Sequence, residues 1–168
     1  MEIVKILASY LKVNSEGIQQ LEYACLLHDI GIIDVPYDIL LKSGHLSSKE
    51  FNVVRQHTAH SVALISPIEF LKPVLPIILY HHEKYDGSGY PSGLKKEQIP
   101  LGARIIACVD AVEAMLQGRP YRSSLSINRA LDELVKHRGK QFDPKIVDAV
   151  TKLALQKKFR KLLSSLKS

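Results

Sequence analysis

Apolar residues recur along this chain at intervals of three, four and seven, and nowhere alternate strongly enough to require a sheet. Ile3, Ile6, Leu7, Tyr10 and Leu11 line one face of a helix over residues 2–12. Asn14 or Ser15 can cap a second helix that runs to about His28 and stops at Gly31, with Leu21, Ala24 and Cys25 on its inner side. Pro36 opens a short helix through Ile39-Leu40-Leu41, ended by Gly44. Ser47 with Glu50 three residues on reads as a capping box for one long helix through Val53, His57 and Ile65, stopped before Pro67. A further helix runs from near Pro73 through Ile78 to His81-His82, and a loop rich in Gly and Pro follows over 86–93. Pro100 opens a very apolar helix, Ala103 to Met115, that ends at Gly118. Residues 126–138 and 144–166 supply two more, with Ser126 as a cap and Gly139 as a stop. The pattern predicts an all-α, single-domain bundle of about seven helices.

Several function classes fall away. A chain of 168 residues suffices for one domain and is short for two. No apolar run approaches the roughly 18–20 residues of a membrane span, and the N-terminus lacks the layout of a secretory signal. Cys25 and Cys108 sit inside apolar runs and read as small buried hydrophobes of a reducing, cytoplasmic compartment. The net charge of +6 owes much to Lys152, Lys157, Lys158, Arg160, Lys161 and Lys167. An anionic partner is compatible with that tail, although the solvated face of a helix accounts for it without one.

Chemistry concentrates in a few positions. The helical pattern turns His28, His57, His81 and His82 inward. A lone inward histidine is more often a hydrogen-bonded core residue than a ligand. Here, however, His28 is followed by Asp29, His81 by His82, and Asp110 stands alone in the apolar run Ile105-Ile106-Ala107-Cys108-Val109-Asp110-Ala111-Val112. Carboxylates in such surroundings are expected to be buried and to want a cation. Imidazole nitrogens with carboxylate oxygens suit Mn, Fe or Zn. Asp29 can bridge two ions, with His28 and Asp110 serving one and His57, His81 and His82 the other. Two ions about 3.5–4 Å apart can clamp a phosphoryl group and generate a bridging hydroxide, which makes Asp29 the expected catalytic centre. Folding is expected to depend partly on the metal.

The same residues carry a resemblance. Leu26-Leu27-His28-Asp29-Ile30-Gly31, with Pro36 and Ile39-Leu40, resembles the motif of the HD superfamily. The run His81-His82-Glu83-Lys84-Tyr85-Asp86-Gly87-Ser88-Gly89-Tyr90-Pro91-Ser92-Gly93-Leu94, followed by Ile99-Pro100 and Ala103-Arg104-Ile105, is similar to the HD-GYP signature. Arg119-Pro120-Tyr121-Arg122 and Gly139-Lys140-Gln141-Phe142-Asp143-Pro144 extend it over nearly the whole chain. The resemblance implies a helical bundle of HD superfamily type over residues 1–168. It implies a two- or three-metal centre, of Fe or Mn first and Zn or Ni as alternatives, and hydrolysis of the bacterial second messenger cyclic di-GMP to a linear dinucleotide or GMP. By position it makes His28, Asp29, His57, His81, His82 and Asp110 metal ligands and Arg119, Arg122 and Tyr90 substrate contacts. Glu83 and Glu113 become groups that support the ligands. The partners implied are the cyclic dinucleotide and a protein contact through the Gly-Tyr-Pro loop. A homodimer is allowed; no DNA or RNA polymer and no membrane span is expected.

The chain also departs from the family pattern. Ile32 stands where the family usually has a Lys that would donate to phosphate. Glu113 replaces the usual Asp, and the first helix lacks the upstream His, with only Glu2 offering an oxygen there. Asp34, Tyr37 and Ser61 differ at positions assigned to the rim. These changes motivate a rival reading, a catalytically weak or inactive module that senses the nucleotide or docks a partner. A third reading is a general nucleotide phosphohydrolase.

Overall fold

The computed structural model describes residues 1–117 and 124–166, and these form helices and turns; their one isolated backbone bridge joins Arg138 to Phe142. Helix α1 (Glu2–Tyr10) is followed by α2 (Ser15–Leu27), whose start is fixed by Asn14 accepting from the Gly17 amide at 2.9 Å. A 3₁₀ turn, Ile30–Asp34, leads to the short α3 (Tyr37–Leu40), with Pro36 just ahead of it. The reciprocal Ser47–Glu50 box caps α4 (Ser48–Val54).

The long helix expected over 47–65 is in fact two, α4 and α5 (His57–Ile65). The break has a local cause. The Val54 carbonyl lies 2.7 Å from His57 Nδ1, a side chain, and the Gln56 amide tightens back onto Val53 three residues earlier. Pro73 lies inside a 3₁₀ segment, Glu69–Val74, and the helix proper is α6 (Leu75–Leu79), with Pro76 in its first turn. His81 and His82 therefore lie just beyond a helix end rather than on the helix. A 3₁₀ turn, Lys96–Gln98, precedes α7 (Leu101–Gln117). Ser126 caps α8 (Ile127–Lys136) as expected, and the helix foreseen over 144–166 splits into α9 (Pro144–Leu153) and α10 (Lys157–Ser165). There the amides of Leu155 and Gln156 bond three residues back, so the chain turns with neither Gly nor Pro to signal it. These splits account for more helices than the expected seven.

The core forms around α7. Ala103, Ile105, Ile106, Cys108, Val109, Val112 and Leu116 are all buried, so this helix is covered on most sides, by α1, α2, α6, α8 and α9. Arg104 on its first turn reaches the buried carboxylate of Asp143 at 2.5 Å, while the other Asp143 oxygen caps α9 through the Lys145 amide at 2.8 Å. One carboxylate thus ties two helix starts together. Both cysteines are free thiols, Cys108 buried and Cys25 half-buried, and burial pushes them to about 12 and about 11. No helix among the described residues is long and apolar enough to cross a membrane.

The tightest junction lies between the 3₁₀ turn after α2 and α5. A Cβ on Gly31 would stand 2.3 Å from the His57 carbonyl oxygen and 2.4 Å from the Ser61 amide nitrogen, so only glycine fits. Gly31→Ala is expected to lower the melting temperature by roughly 2–12 °C, because overpacking against backbone costs about 1–3 kcal/mol and each kcal/mol is worth ~2–4 °C at this size. Thermal denaturation followed by circular dichroism checks it; an unchanged midpoint contradicts the close approach.

Candidate metal centre

Three histidines use one device. Nδ1 of His28 lies 3.0 Å from the Cys25 carbonyl, Nδ1 of His57 2.7 Å from that of Val54, and Nδ1 of His81 2.7 Å from that of Ile78. In each case the acceptor is three residues back at a helix end, where carbonyls lack helical partners. A carbonyl only accepts, so Nδ1 carries the proton and Nε2 presents a lone pair.

Those lone pairs converge on Asp29. Its Oδ1 is 3.3 Å from His57 Nε2 and 3.5 Å from His81 Nε2, while Oδ2 is 3.4 Å from His28 Nε2. The two oxygens thus face two different sets of imidazoles. His57 and His81 are 2% and 1% exposed, and their Nε2 atoms have no hydrogen-bond partner. Lone pairs set against carboxylate oxygens repel unless a cation or proton lies between them, so this donor set fits a divalent metal. One ligand atom each from Asp29, His57, His81 and His82 lie within 4.8 Å of one another. The electrostatics agree. Burial alone raises the Asp29 pKa, but the imidazoles of His57 and His81 outweigh it and hold the carboxyl well below the usual range. Burial lowers His57, and Asp29 together with the Val54 carbonyl more than reverses that. His82 is pushed down to about 3 by burial and by the neighbouring rings of His81 and His57.

Two expectations need correction. Asp29 is not buried: its side chain is 54% exposed, because the turn carrying it lies on the open side of the cluster. Asp110 is exposed as well, on a face of α7 that its apolar neighbours leave uncovered. The burial cost falls instead on the imidazole nitrogens of His57 and His81. Asp110 lines one cavity with Cys25, His28 and Glu113, and another with His81, His82, Glu83 and Tyr90. It stands between the two histidine sets without an ion pair to either.

The Gly-Tyr-Pro loop closes over His82. A Cβ on Gly89 would meet the Lys84 amide at 2.3 Å and the Glu83 Cα at 2.5 Å, while Gly87 and Gly93 take positive φ. Tyr90 donates its amide to the His82 carbonyl at 3.2 Å and stacks its ring on that imidazole, centroids 4.9 Å apart and planes at 29°. Burial and Asp29 push the Tyr90 hydroxyl up to about 12, so it remains a donor. Glu83 is buried; one oxygen accepts from the Ser92 amide at 2.7 Å and the other has no partner. Asp86 turns its carboxylate to Ser88 and its amide to the Lys140 carbonyl, fastening the loop to the turn before α9.

Ser61 belongs to this site in a way the sequence did not signal. It is fully buried rather than on the rim; its hydroxyl accepts from the Gly31 amide at 2.9 Å and donates to the His28 carbonyl at 2.8 Å. Asp34, facing His60 at 3.4 Å, and Tyr37 are exposed, as a rim requires. Ile32 is half-buried. Arg119 and Arg122 lie outside the described residues, as does Gly118.

A family model described as an HD domain matches residues 1–146. The chain is 41% identical over 150 residues to a cyclic di-GMP phosphodiesterase response regulator of Xanthomonas campestris, covering 88% of this chain and 40% of that protein. It is 37% identical over 151 residues to a cyclic di-GMP phosphodiesterase of Thermotoga maritima, with the same coverage of 88% and 40%. Against 3'3'-cGAMP-specific phosphodiesterase 1 of Vibrio cholerae the identity is 34% over 157 residues, 92% of this chain and 36% of that one. The chain therefore spans about two fifths of the length of these curated relatives. The crystal structure of a cyclic GMP-AMP specific phosphodiesterase from V. cholerae superimposes with a TM-score of 0.75 at 21% identity, over 99% of this chain and 44% of that one. That likeness bears on the fold.

The low His82 pKa has a consequence for stability. Between about 3 and the ~6.5 of a free imidazole, the native state binds fewer protons than the unfolded chain, so stability falls as the pH drops through that window. His57 is displaced upward and acts with the opposite sign, being lost as pH rises through its native value, but its displacement is the smaller. Asp29 works in the same sense as His82 only below ~3.9. The metal-free protein should therefore melt lower at pH 5 than at pH 7, and His82→Gln should flatten the difference. Calorimetric scans at both pH values decide; equal midpoints for the wild type would refute the assignment.

Proposed function

The chain belongs to the HD domain family, in its HD-GYP branch, and we propose that it is a metal-dependent phosphodiesterase hydrolysing cyclic di-GMP to a linear dinucleotide or GMP. The observation that carries this reading is the divided carboxylate of Asp29, one oxygen facing His28 and the other facing the buried, unpartnered Nε2 atoms of His57 and His81. A carboxylate shared in this way supports two divalent ions, Fe or Mn in preference to Zn or Ni, with Asp29 between them. His57, His81 and His82 would hold one ion, and His28 and Asp110 the other. When bound, such ions supply positive charge that neutralises a phosphodiester and lowers the pKa of water.

The protein's own residues supply the rest. The Nδ1 bonds to Cys25, Val54 and Ile78 fix three ring planes before any ligand arrives, so little ordering remains to be done. Tyr90 stays protonated and can donate to a phosphate oxygen on the side of His82. Arg119 and Arg122 match basic positions suited to the second phosphate and the base edges. Glu83 holds the loop through Ser92, and Glu113 shares the His28–Asp110 cavity. We place the protein in the cytoplasm, where Cys25 and Cys108 would stay thiols.

Ile32 favours a second reading. Ile32 brings no donor where the resemblance implies a Lys on phosphate, and losing one such donor typically costs about 100-fold or more in rate. A domain that binds cyclic di-GMP and barely cleaves it would use the same site.

Protein loaded with Mn or with Fe is expected to convert cyclic di-GMP to linear product, and a His81→Ala variant is not. Turnover no higher than in that variant, with both metals tried, sinks the enzyme reading; calorimetric binding without turnover favours the sensing one. Asp29→Ala should strip both ions while the fold persists, because the side chain is half exposed. Metal per chain by elemental analysis should approach zero, with the melting profile of the metal-free wild type. Full occupancy would remove Asp29 from its bridging place.

A further inference from the structure

Phe51 is 44% exposed on α4, although its ring stands next to the metal centre. The ring lies 5.9 Å from that of Tyr90 at 87°, and Tyr90 is itself stacked on His82. A chain of ring contacts therefore runs from the candidate ligand His82 through Tyr90 to solvent. Tyr90 and Phe51 meet at a right angle, forming an aromatic corner at the rim.

A single exposed aromatic is ordinary. This one has a cationic residue one turn further along the chain. Arg55 follows one turn later, its amide bonded to the Phe51 carbonyl at 3.0 Å, and it is an exposed residue with no carboxylate partner among the described residues. The nearby Glu50 is taken up by Lys42 and by the Ser47 amide. Arg55 nonetheless acts electrostatically on the Tyr90 hydroxyl, opposite in sense to Asp29 and Asp110. The rim is thus aromatic and cationic on its outer side and carboxylate on its inner side. A phosphate at the carboxylate side would carry its base outward to the corner.

We infer that Phe51 and Arg55 form a nucleobase subsite, in which one purine of a cyclic dinucleotide stacks on Phe51 and Arg55 forks to its acceptor edge. Guanine offers two acceptors, O6 and N7, to such a fork, whereas adenine presents a donor beside N7. The subsite therefore favours guanine. The inference rests on the phosphodiesterase reading for its substrate class, and binding tests it apart from turnover.

The experiment compares wild type, Phe51→Ala, Phe51→Trp and Arg55→Ala, each with metal content measured. With cyclic di-GMP, Phe51→Ala should raise KM at least about tenfold, the usual consequence of losing a base stack, with kcat nearly kept. Phe51→Trp should restore the wild-type KM. The loss should not extend to bis(p-nitrophenyl) phosphate, a diester without a base. Arg55→Ala should raise KM for cyclic di-GMP about tenfold and leave that for cyclic di-AMP in place. An unchanged KM in Phe51→Ala, or an equal loss with the base-free diester, overturns the subsite. If wild type binds cyclic di-GMP without cleaving it, the enzyme reading fails and the same variants are read by calorimetry. About tenfold weaker binding then upholds the subsite, and equal binding overturns it, as does wild type that binds no cyclic dinucleotide. Arg55→Ala decides alone if the Phe51 variants do not fold.

Discussion

The structure depends on a place where two backbones touch. Gly31 has no room for a side chain because the His57 carbonyl and the Ser61 amide occupy it. That contact brings the turn carrying Asp29 against the first turn of α5, which carries His57. The Ser61 hydroxyl then spans the turn, bonding to the amide of Gly31 and the carbonyl of His28. A buried hydroxyl that both donates and accepts leaves neither of those backbone groups orphaned. Asp29 thus sits against imidazoles from three separate stretches of chain while its side chain stays half exposed.

Ring orientation follows from helix ends. An α-helix leaves its last carbonyls unpaired, and a histidine three residues on can take one with Nδ1. The device is used after α2 by His28, after α4 by His57 and after α6 by His81. It satisfies a carbonyl, sets the tautomer and aims Nε2 in the same act. The breaks in the helices are therefore part of the site. Had α4 and α5 been one helix, Val54 would have bonded to a backbone amide and His57 would have lost its orienting acceptor.

This explains what could be read in the sequence and what could not. Helical periodicity, the Ser47–Glu50 box, the Asn14 and Ser126 caps and the apolar α7 were all legible, because each is a local rule written in adjacent residues. The His-Asp and His-His pairs were legible as a cluster because their chemistry is rare in combination. The splits at Val54 and near Leu155 were not, since no Gly or Pro marks them and side-chain and 3₁₀ bonds decide them. The burial of Asp29 and Asp110 was misjudged for a related reason. Apolar neighbours in sequence predict which helix face is buried, not where a cleft reopens that face to water. Ser61 looked like a rim position because its partners, Gly31 and His28, are thirty or more residues away.

The exposure of Asp29 bears on chemistry as well as on stability. A bridging carboxylate at the bottom of a dry core would bind metal tightly yet deny a phosphodiester access to it. Here the imidazoles of His57 and His81 are dry and the carboxylate is half exposed, so the donor atoms are rigid where orientation matters, and ions held as proposed would stay reachable from the cleft. Tyr90 extends the same division, its ring covering His82 while its hydroxyl stays protonated beside the carboxylate. The position of Ile32 then acquires a definite weight. If the centre acts as proposed, with ligands preset and the cleft open, binding would not draw on a cation at that position, whereas stabilising the charge that develops during cleavage would. In the proposed reading that charge would fall to the metals, and Asp29, which would hold them, immediately precedes the turn that carries Ile32.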